Sequence, residues 1–357
     1  MKLFIVGGFV RDTLLGLESN DVDYVVVGSN RSEMLEKEFL PVGNDFEVFL
    51  HPKTKDEYAL ARLERNTGNK YTDFDCVYEN VTLEDDLLRR DLTLNCIAQD
   101  IETGEYIDPY GGMEDIENKV LRHVSEAFTE DPIRLLRLAR FHAKFGSEWT
   151  IAPETKTLCD SMYKSGMFED LTPERVWSET EKALNTRKPS LYFELLKPYG
   201  IFPEIIDMEL TEEQNAYHPE QNVWEHCKLV MDFAAKEYSN PEIVMAAFSH
   251  DLGKYICYQE RGNGNGHEKV GLPFVENLYE RIKAPKKYKE LALLVCEHHQ
   301  KVHSVMSRGI NAWTRPKSIM KLFQQTNALV KPERFIKLLK ACRSDAAGRG
   351  ATPEQIK

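Results

Sequence analysis

The chain predicts an α+β head over residues 1–122 carried on an all-helical body, and three observations lead there. Short apolar runs of strand length, partly β-branched or alternating, cluster before residue 122. Beyond residue 123 they fade, and long segments of 3.6-residue period replace them. At 357 residues the chain is also long enough for two or three domains. The expected division is a head over 1–122, a helical neck over 123–205, and a last helical domain over 206–357 that ends in basic helices.

In chain order, residues 3–6, 21–28, 46–50 and 57–63 read as strands. Residues 10–15 read as a short helix closed by Gly16. In the body, residues 132–145, 173–184, 224–235 and 289–299 carry the helical period. Residues 261–266, with alternating glycines, read as a loop. No internal repeat interrupts this pattern.

Composition bounds the class. Hydrophobic residues make up 42% and charged residues 29%, ordinary values for a soluble globular protein. No apolar stretch approaches a membrane span, and the N-terminal apolar run is cut at Gly7, which excludes a signal peptide. The seven cysteines are scattered, without a CxxC pair. That argues for reduced thiols in a cytoplasm and against a thiolate zinc site. Net charge is −12, yet residues 281–357 hold 17 Lys and Arg against 5 Asp and Glu. Such a basic end on an acidic body suits RNA contacts, or else forms a solvated helical face. Candidate contacts are the lysines of 283–289 with Arg315, Lys317 and Lys321.

The chemistry concentrates in a few strings. Gly7-Gly8-Phe9-Val10-Arg11-Asp12 follows the first apolar run, and paired glycines let backbone N–H groups approach a triphosphate closely. Asp21-Val22-Asp23 opens the second run. Carboxylates at i and i+2 on a strand share one face, here with Val25, while Val22, Tyr24 and Val26 form the buried side. Two carboxylates so held repel each other without a cation between them, a geometry suited to clamping divalent metal against phosphate. The unit reads as the active site of a nucleotidyl transferase. Arg89-Arg90-Asp91 with Asn95 offers cations, a carboxylate and an amide for phosphate and ribose. In the string from Glu130 to Arg140, Pro132 fits the first turn of a helix. Arg134, Arg137 and Arg140 then form one stripe along it. Asp131 and Arg134 side by side offer acceptors and donors that match a base edge.

GGFVRDTLLG, DVD, RRDLTLN, DPYGGMED, EDPIRLLRLARF and LTPERVWSE, in that order, resemble the class II tRNA nucleotidyltransferases. These are the CCA-adding enzymes of the polymerase-β superfamily, and the match is to their bacterial multifunctional form. The resemblance implies a polymerase-β-like head with a mixed sheet. It also implies addition of C, C and A to the 3′ end of tRNA from CTP and ATP, without a nucleic-acid template. Carried over by position, Asp21 and Asp23 would be catalytic and bind Mg²⁺, and Gly8 and Arg11 would hold the triphosphate. Arg90, Asp91 and Asn95 would contact the nucleotide and favour ribose. Asp108 through Asp115 would form a hinge-like segment. Asp131 and Arg134 would pair with the incoming base, Glu130 belongs to the same motif, and Arg137 and Arg140 would also contact the nucleotide. Cys96 departs from the usual alanine, a small-for-small change. The long polar segment 65–86 favours full CCA capability, because CC-limited members lack a flexible loop in this region. A poly(A) polymerase, or an enzyme restricted to CC or A, is the alternative.

Phe248-Ser249-His250-Asp251-Leu252-Gly253-Lys254, with His226 upstream and Asp345 downstream, resembles the HD-domain phosphohydrolases, whose ligand order is H…HD…D. The resemblance implies His226, His250, Asp251 and Asp345 as ligands of a divalent metal, Ni²⁺ or Mg²⁺. It further implies 2′,3′-cyclic phosphodiesterase, 2′-nucleotidase and phosphatase activity. His267, His298 and His299 are either further site residues or ordinary core and surface histidines. The expected assembly is a monomer or homodimer, and the end at Lys357 comes earlier than this group leads one to expect.

Overall fold

The apolar run at the start of the chain becomes β1 (Lys2–Val6), an inner strand of a seven-stranded mixed sheet. Gly7 turns the chain at φ +72°, a left-handed conformation that costs glycine nothing, and α1 (Gly8–Leu14) begins at once. β2 (Asp23–Val27) returns antiparallel to β1, with Val6 opposite Asp23. Then come α2 (Arg31–Glu36), β3 (Leu40–Val42), β4 (Val48–Leu50) and β5 (Glu57–Leu60), the last parallel to β2. A separate hairpin of β6 (Leu63–Asn66) and β7 (Phe74–Val77) precedes α3 (Leu83–Leu88). β8 (Ala98–Asp100) pairs with the other side of β1, and β9 (Tyr106–Ile107) completes the order β3-β4-β5-β2-β1-β8-β9.

The computed structural model describes residues 1–42, 47–66, 74–212, 222–306 and 316–349. Phe46, Arg315 and the centre of the polar 65–86 segment, singled out from sequence, lie outside the described residues.

Two local expectations for the head are corrected. Val25 was expected on the open face of its strand, yet Val25 and Val26 are equally buried. Val25 packs with Phe4, Val6, Leu83 and Leu87, and Val26 with Met34, Phe39 and Phe49, so apolar side chains cover both faces of β2. Residues 57–63 do not run as one strand. After Leu60, the Ala61 N–H goes to the Val26 carbonyl (2.9 Å) and the Arg62 N–H to the Asp86 carboxylate (3.3 Å), and Leu63 then opens the separate hairpin. A side-chain acceptor takes the bond that a ladder partner would have filled.

α4 (Gly112–Asn118) and β10 (Val120–Leu121) follow the sheet. α5 (Ile133–Phe145) begins behind the cap residue Asp131. β11 (Thr150–Ile151) pairs parallel to β10, and α6 (Pro153–Lys164) starts on a proline at its first turn. The chain divides into two compact units. One is Met1–Arg134 with Glu148–Met167, and the other is Leu135–Ser147 with Phe168–Lys357. Residues expected as neck thus contribute to both.

The second unit is helical. It holds α7 (Pro173–Leu184), α8 (Ser190–Leu196), α9 (Glu204–Glu209), α10 (Val223–Tyr238), α11 (Pro241–Ser249) and α12 (Lys254–Arg261). It continues with α13 (His267–Val270), α14 (Leu272–Arg281), α15 (Lys286–Met306), α16 (Pro316–Thr326) and α17 (Pro332–Gly348). α10 packs on α11 and α17, and α15 on the same two. Trp224, Phe193, Phe202 and Phe248 form an aromatic core beside this group, with the Phe193 and Phe248 rings stacked at 4.4 Å. Among the described residues no helix is long and apolar enough to cross a membrane.

Candidate active site and candidate metal centre

Strand register assembles the first site. β2 and β5 run parallel with Asp23 beside Glu57, so register-paired neighbours place two carboxylates at the same strand end. Asp21 lies just before β2, not on it, yet its charge is felt at Asp23. Partial desolvation first, then the charge of Asp21 and finally that of Glu57, push the Asp23 carboxyl up; Arg90 opposes them. Three carboxylates therefore gather where sequence alone indicated two. Gly7 follows the β1 residue that faces Asp23. A Cβ there would stand 3.3 Å from Arg90 Nη1 and 3.8 Å from Asp23 Oδ2, so the close approach belongs to Gly7 more than to Gly8.

Arg90 is held from behind. Its Nη2 donates to Asp86 Oδ2 (3.1 Å), while Arg89 donates to Asp86 Oδ1 (2.7 Å) and Glu64 Oε1 (3.0 Å). Burial alone would raise Asp86, but Arg90 and Arg89 hold it below the usual carboxylate range. Arg11 is buried, with Nε on Asp12 Oδ1 (2.8 Å) and Nη1 on Asn95 Oδ1 (2.6 Å). The Asn95 amide in turn donates to Asp91 Oδ1 (2.9 Å). Three of the five residues expected to contact triphosphate and ribose thus form one hydrogen-bonded chain, Arg11–Asn95–Asp91. Next to it, Thr93 donates to Asp115 (2.7 Å), and Asp108 caps α4 through the N–H groups of Gly112 and Met113 (2.8 Å each).

Asp131 and Arg134 come together at the start of α5. Asp131 Oδ1 accepts the Ile133 N–H (3.0 Å), and Arg134 Nη1 donates to the Ala127 carbonyl (2.8 Å). Partial burial raises the neighbouring Glu130 carboxyl, opposed by Arg134. Arg137 and Arg140 fall in the second unit. There Arg140 Nε donates to the buried Glu179 (2.6 Å), and its guanidinium lies 4.4 Å from the Phe141 ring, with that of Arg137 at 6.0 Å.

The second unit gathers the other set. His226 comes from α10, His250 and Asp251 from the end of α11, and Asp345 from α17; all are buried. His226 Nε2 stands 3.0 Å from Asp345 Oδ1, and His250 Nε2 stands 3.1 Å from Asp251 Oδ2 and 3.9 Å from Asp345 Oδ1. His267 and His299 join them, with Nε2 atoms 3.0 and 3.5 Å from Asp251 Oδ1. His298, on the next position of α15, does not. Its Nδ1 meets Lys301 Nζ (3.1 Å) and its Nε2 is nearest Glu297 (3.7 Å). Burial alone would raise Asp251 and Asp345; His250 and Lys254 drive the first well below its usual range, and Arg349, His226 and His303 the second.

Sequence reasoning missed several of these neighbours. Lys254 Nζ lies 3.0 Å from Asp251 Oδ2, Arg349 grips Asp345 with two bonds of 2.9 Å, and His303 Nε2 lies 2.6 Å from Asp345 Oδ2. His303 was within reach, since positions 299 and 303 are one turn apart on a helix. So was Asp86, three and four residues before the arginines it holds.

Comparison with known proteins agrees with this anatomy. Residues 3–122 match the poly(A) polymerase head domain, 149–210 the probable RNA and SrmB- binding site of polymerase A, and 223–329 the HD domain. The class is a polymerase-β-like nucleotidyltransferase joined to an HD domain. The chain is 44% identical over 356 residues to a multifunctional CCA protein of Hahella chejuensis, covering 98% of this chain and 83% of that one. The figure is 46% for the multifunctional CCA protein of Shewanella denitrificans, covering 98% and 84%. The chain belongs to the multifunctional CCA protein family. Its fold resembles the Bacillus stearothermophilus CCA-adding enzyme in complex with CTP, at TM-score 0.65 and 23% identity over 99% of this chain and 75% of that one. A tRNA-processing enzyme in an apo form matches at TM-score 0.61 and 22% identity, over 98% and 96%.

Proposed function

We propose that the first unit adds C, C and A to the 3′ end of tRNA, using CTP and ATP and releasing pyrophosphate. The observation that carries this is the convergence of Asp21, Asp23 and Glu57 beside Gly7 and Arg90 at one end of the sheet. The carboxylates are hard oxygen donors, and burial first, then the charge of Asp21, raises Asp23, which fits Mg²⁺. When bound, Mg²⁺ neutralises triphosphate charge and favours the deprotonated 3′ hydroxyl. That hydroxyl forms the new bond to the α-phosphorus as the bond to pyrophosphate breaks. The protein's share is positioning and charge stabilisation. Arg90, braced by Asp86, serves the triphosphate beside Gly7, whose missing Cβ leaves room next to its guanidinium, and Gly8 follows at the start of α1. Arg11 holds the triphosphate, and Asn95 and Asp91, bonded to it in turn, orient the ribose side. Asp131 and Arg134 read the base: a guanidinium has five donors, so the bond to Ala127 fixes its direction and leaves it a donor face.

In the second unit, imidazole-plus-carboxylate donors suit a divalent transition ion, and His226, His250, Asp251 and Asp345 hold it. Such an ion supplies polarisation of a phosphoryl oxygen. The reading is a phosphohydrolase acting as 2′,3′-cyclic phosphodiesterase, 2′-nucleotidase and phosphatase.

A tRNA lacking its terminal triplet, supplied with CTP and ATP separately and together, tests the first unit. Only the mixture should give the full triplet, and Asp21→Ala with Asp23→Ala should lower the rate by about 10³-fold or more. Long A-tails with ATP alone would instead make it a poly(A) polymerase, and retained activity in the double variant would sink the metal assignment. Hydrolysis of 2′,3′-cyclic nucleotide should survive Asp21→Ala and vanish in His250→Ala.

A further inference from the structure

In the second unit the end of α7, the loop after it and the last turns of α10 line a cavity of about 620 Å³. Arg187, Lys188 and Lys236 bring three cations to its wall, Asp232 one carboxylate and Phe233 an aromatic ring. The cavity stands apart from both sites described above. Residues advance by about 100° around a helix, so positions 232, 233 and 236 lie on a different face of α10 from His226.

The wall is held by the backbone. Thr186 sends both its N–H (3.0 Å) and its hydroxyl (2.6 Å) to the Ala183 carbonyl. The Asn185 side chain donates to the Glu181 carbonyl (2.8 Å), and the Lys188 N–H reaches the Ala143 carbonyl of α5 (3.0 Å). On the other side Ser239 closes α10 in the left-handed conformation, at φ +45°. Lys188 and Phe233 are half-buried, so neither is a freely moving surface group.

The charge balance of the wall is positive. Asp232 accepts from the Ser190 N–H (3.1 Å) and hydroxyl (2.8 Å), so its carboxylate is engaged at the start of α8. Among the described residues, neither Lys188 nor Lys236 has a carboxylate oxygen within 4.0 Å. Cations on a concave wall focus a field that attracts anions. Their other role is to face the carbonyl ends of α7 and α10, where positive charge is favourable without any ligand. The ring of Phe233 and a volume typical of small-molecule sites favour a ligand that carries a flat ring beside its charge. A strand of RNA calls for a basic track several nucleotides long, whereas here the cations converge on one cavity.

We propose that this cavity binds a free nucleoside di- or triphosphate, with its phosphates on Arg187, Lys188 and Lys236 and its base against Phe233. It is a second nucleotide site, and it stands whether or not the first unit adds CCA.

Photolabelling of the full chain with 8-azido-ATP, followed by peptide mapping, tests the site. Label is expected on peptides spanning 185–188 or 232–239 as well as in the head, and excess ATP should remove it. Lys188→Ala and Lys236→Ala should each weaken labelling of the cavity by about tenfold and leave the head label unchanged. Lys188→Arg with Lys236→Arg should retain it. Label confined to the head overturns the proposal, and so does cavity label that both alanine variants leave unchanged. A lower melting temperature in those variants without loss of label also overturns it, and is the result that service to the helix ends alone would give. Protection of the cavity by a short RNA oligonucleotide but not by ATP overturns the nucleotide in favour of RNA. If an alanine variant does not fold, the map from the parent chain decides by itself.

Discussion

Asp21 and Asp23 were legible because two acids two apart, next to a β-branched run, are a local signal. Glu57 was not, because its place beside Asp23 depends on which strand pairs with which and in what register. Histidines of the candidate metal centre divide in the same way: His250 and Asp251 stand adjacent in sequence, whereas separating His299 from His298 took the rotation of α15 about its axis. Glycines reward a similar distinction. Gly112 is buried, and a Cβ on it would come 2.3 Å from the Thr93 carbonyl oxygen. Both atoms sit on backbone, so neither yields cheaply. Gly112→Ala should therefore cost about 3 kcal/mol, seen as a lower urea midpoint with an unchanged slope. An unshifted midpoint would mean that α4 slides away from Thr93 with ease.

At the level of elements, the helices were the readable part. Residues 173–184 were expected as a helix and α7 has those bounds, because an apolar stripe with proline at the first turn marks its own start. The stretch 57–63 failed because its break is set by Asp86, on α3, taking the Arg62 N–H. That makes α3 worth testing. Thr82 Oγ1 accepts the Asp85 N–H (3.1 Å) and Asp85 Oδ2 accepts the Thr82 N–H (3.0 Å), a reciprocal cap. Thr82→Ala should cost about 1 kcal/mol. It should also slow nucleotide addition, since Asp86 braces Arg90 from the next turn. Equal loss of stability without any change in rate would detach the cap from the site.

Across the whole molecule, acid should act on both units. Asp86 in the first and Glu179 in the second both titrate below their usual values; burial opposes this, but Arg90 and Arg89, and Arg140 with Lys182, prevail. A carboxyl depressed by folding contributes stability above its unfolded pKa, about 3.9 for Asp and 4.3 for Glu, and loses it as pH falls through the folded value. The melting temperature should drop from pH 5 to pH 3, and more gently in Asp86→Asn, which starts lower at neutral pH. Parallel slopes would exclude Asp86 as a source of the acid response. The chain's path between the two units has another consequence, for a polypeptide leaving the ribosome. The first unit takes residues through Arg134, the second takes 135–147, and the first resumes from Glu148 to Met167. β10 cannot find its partner β11 until the intervening helix has been synthesised. The nascent head is thus unfinished while the first helix of its neighbour is already exposed, and no single cut of the gene yields either unit whole.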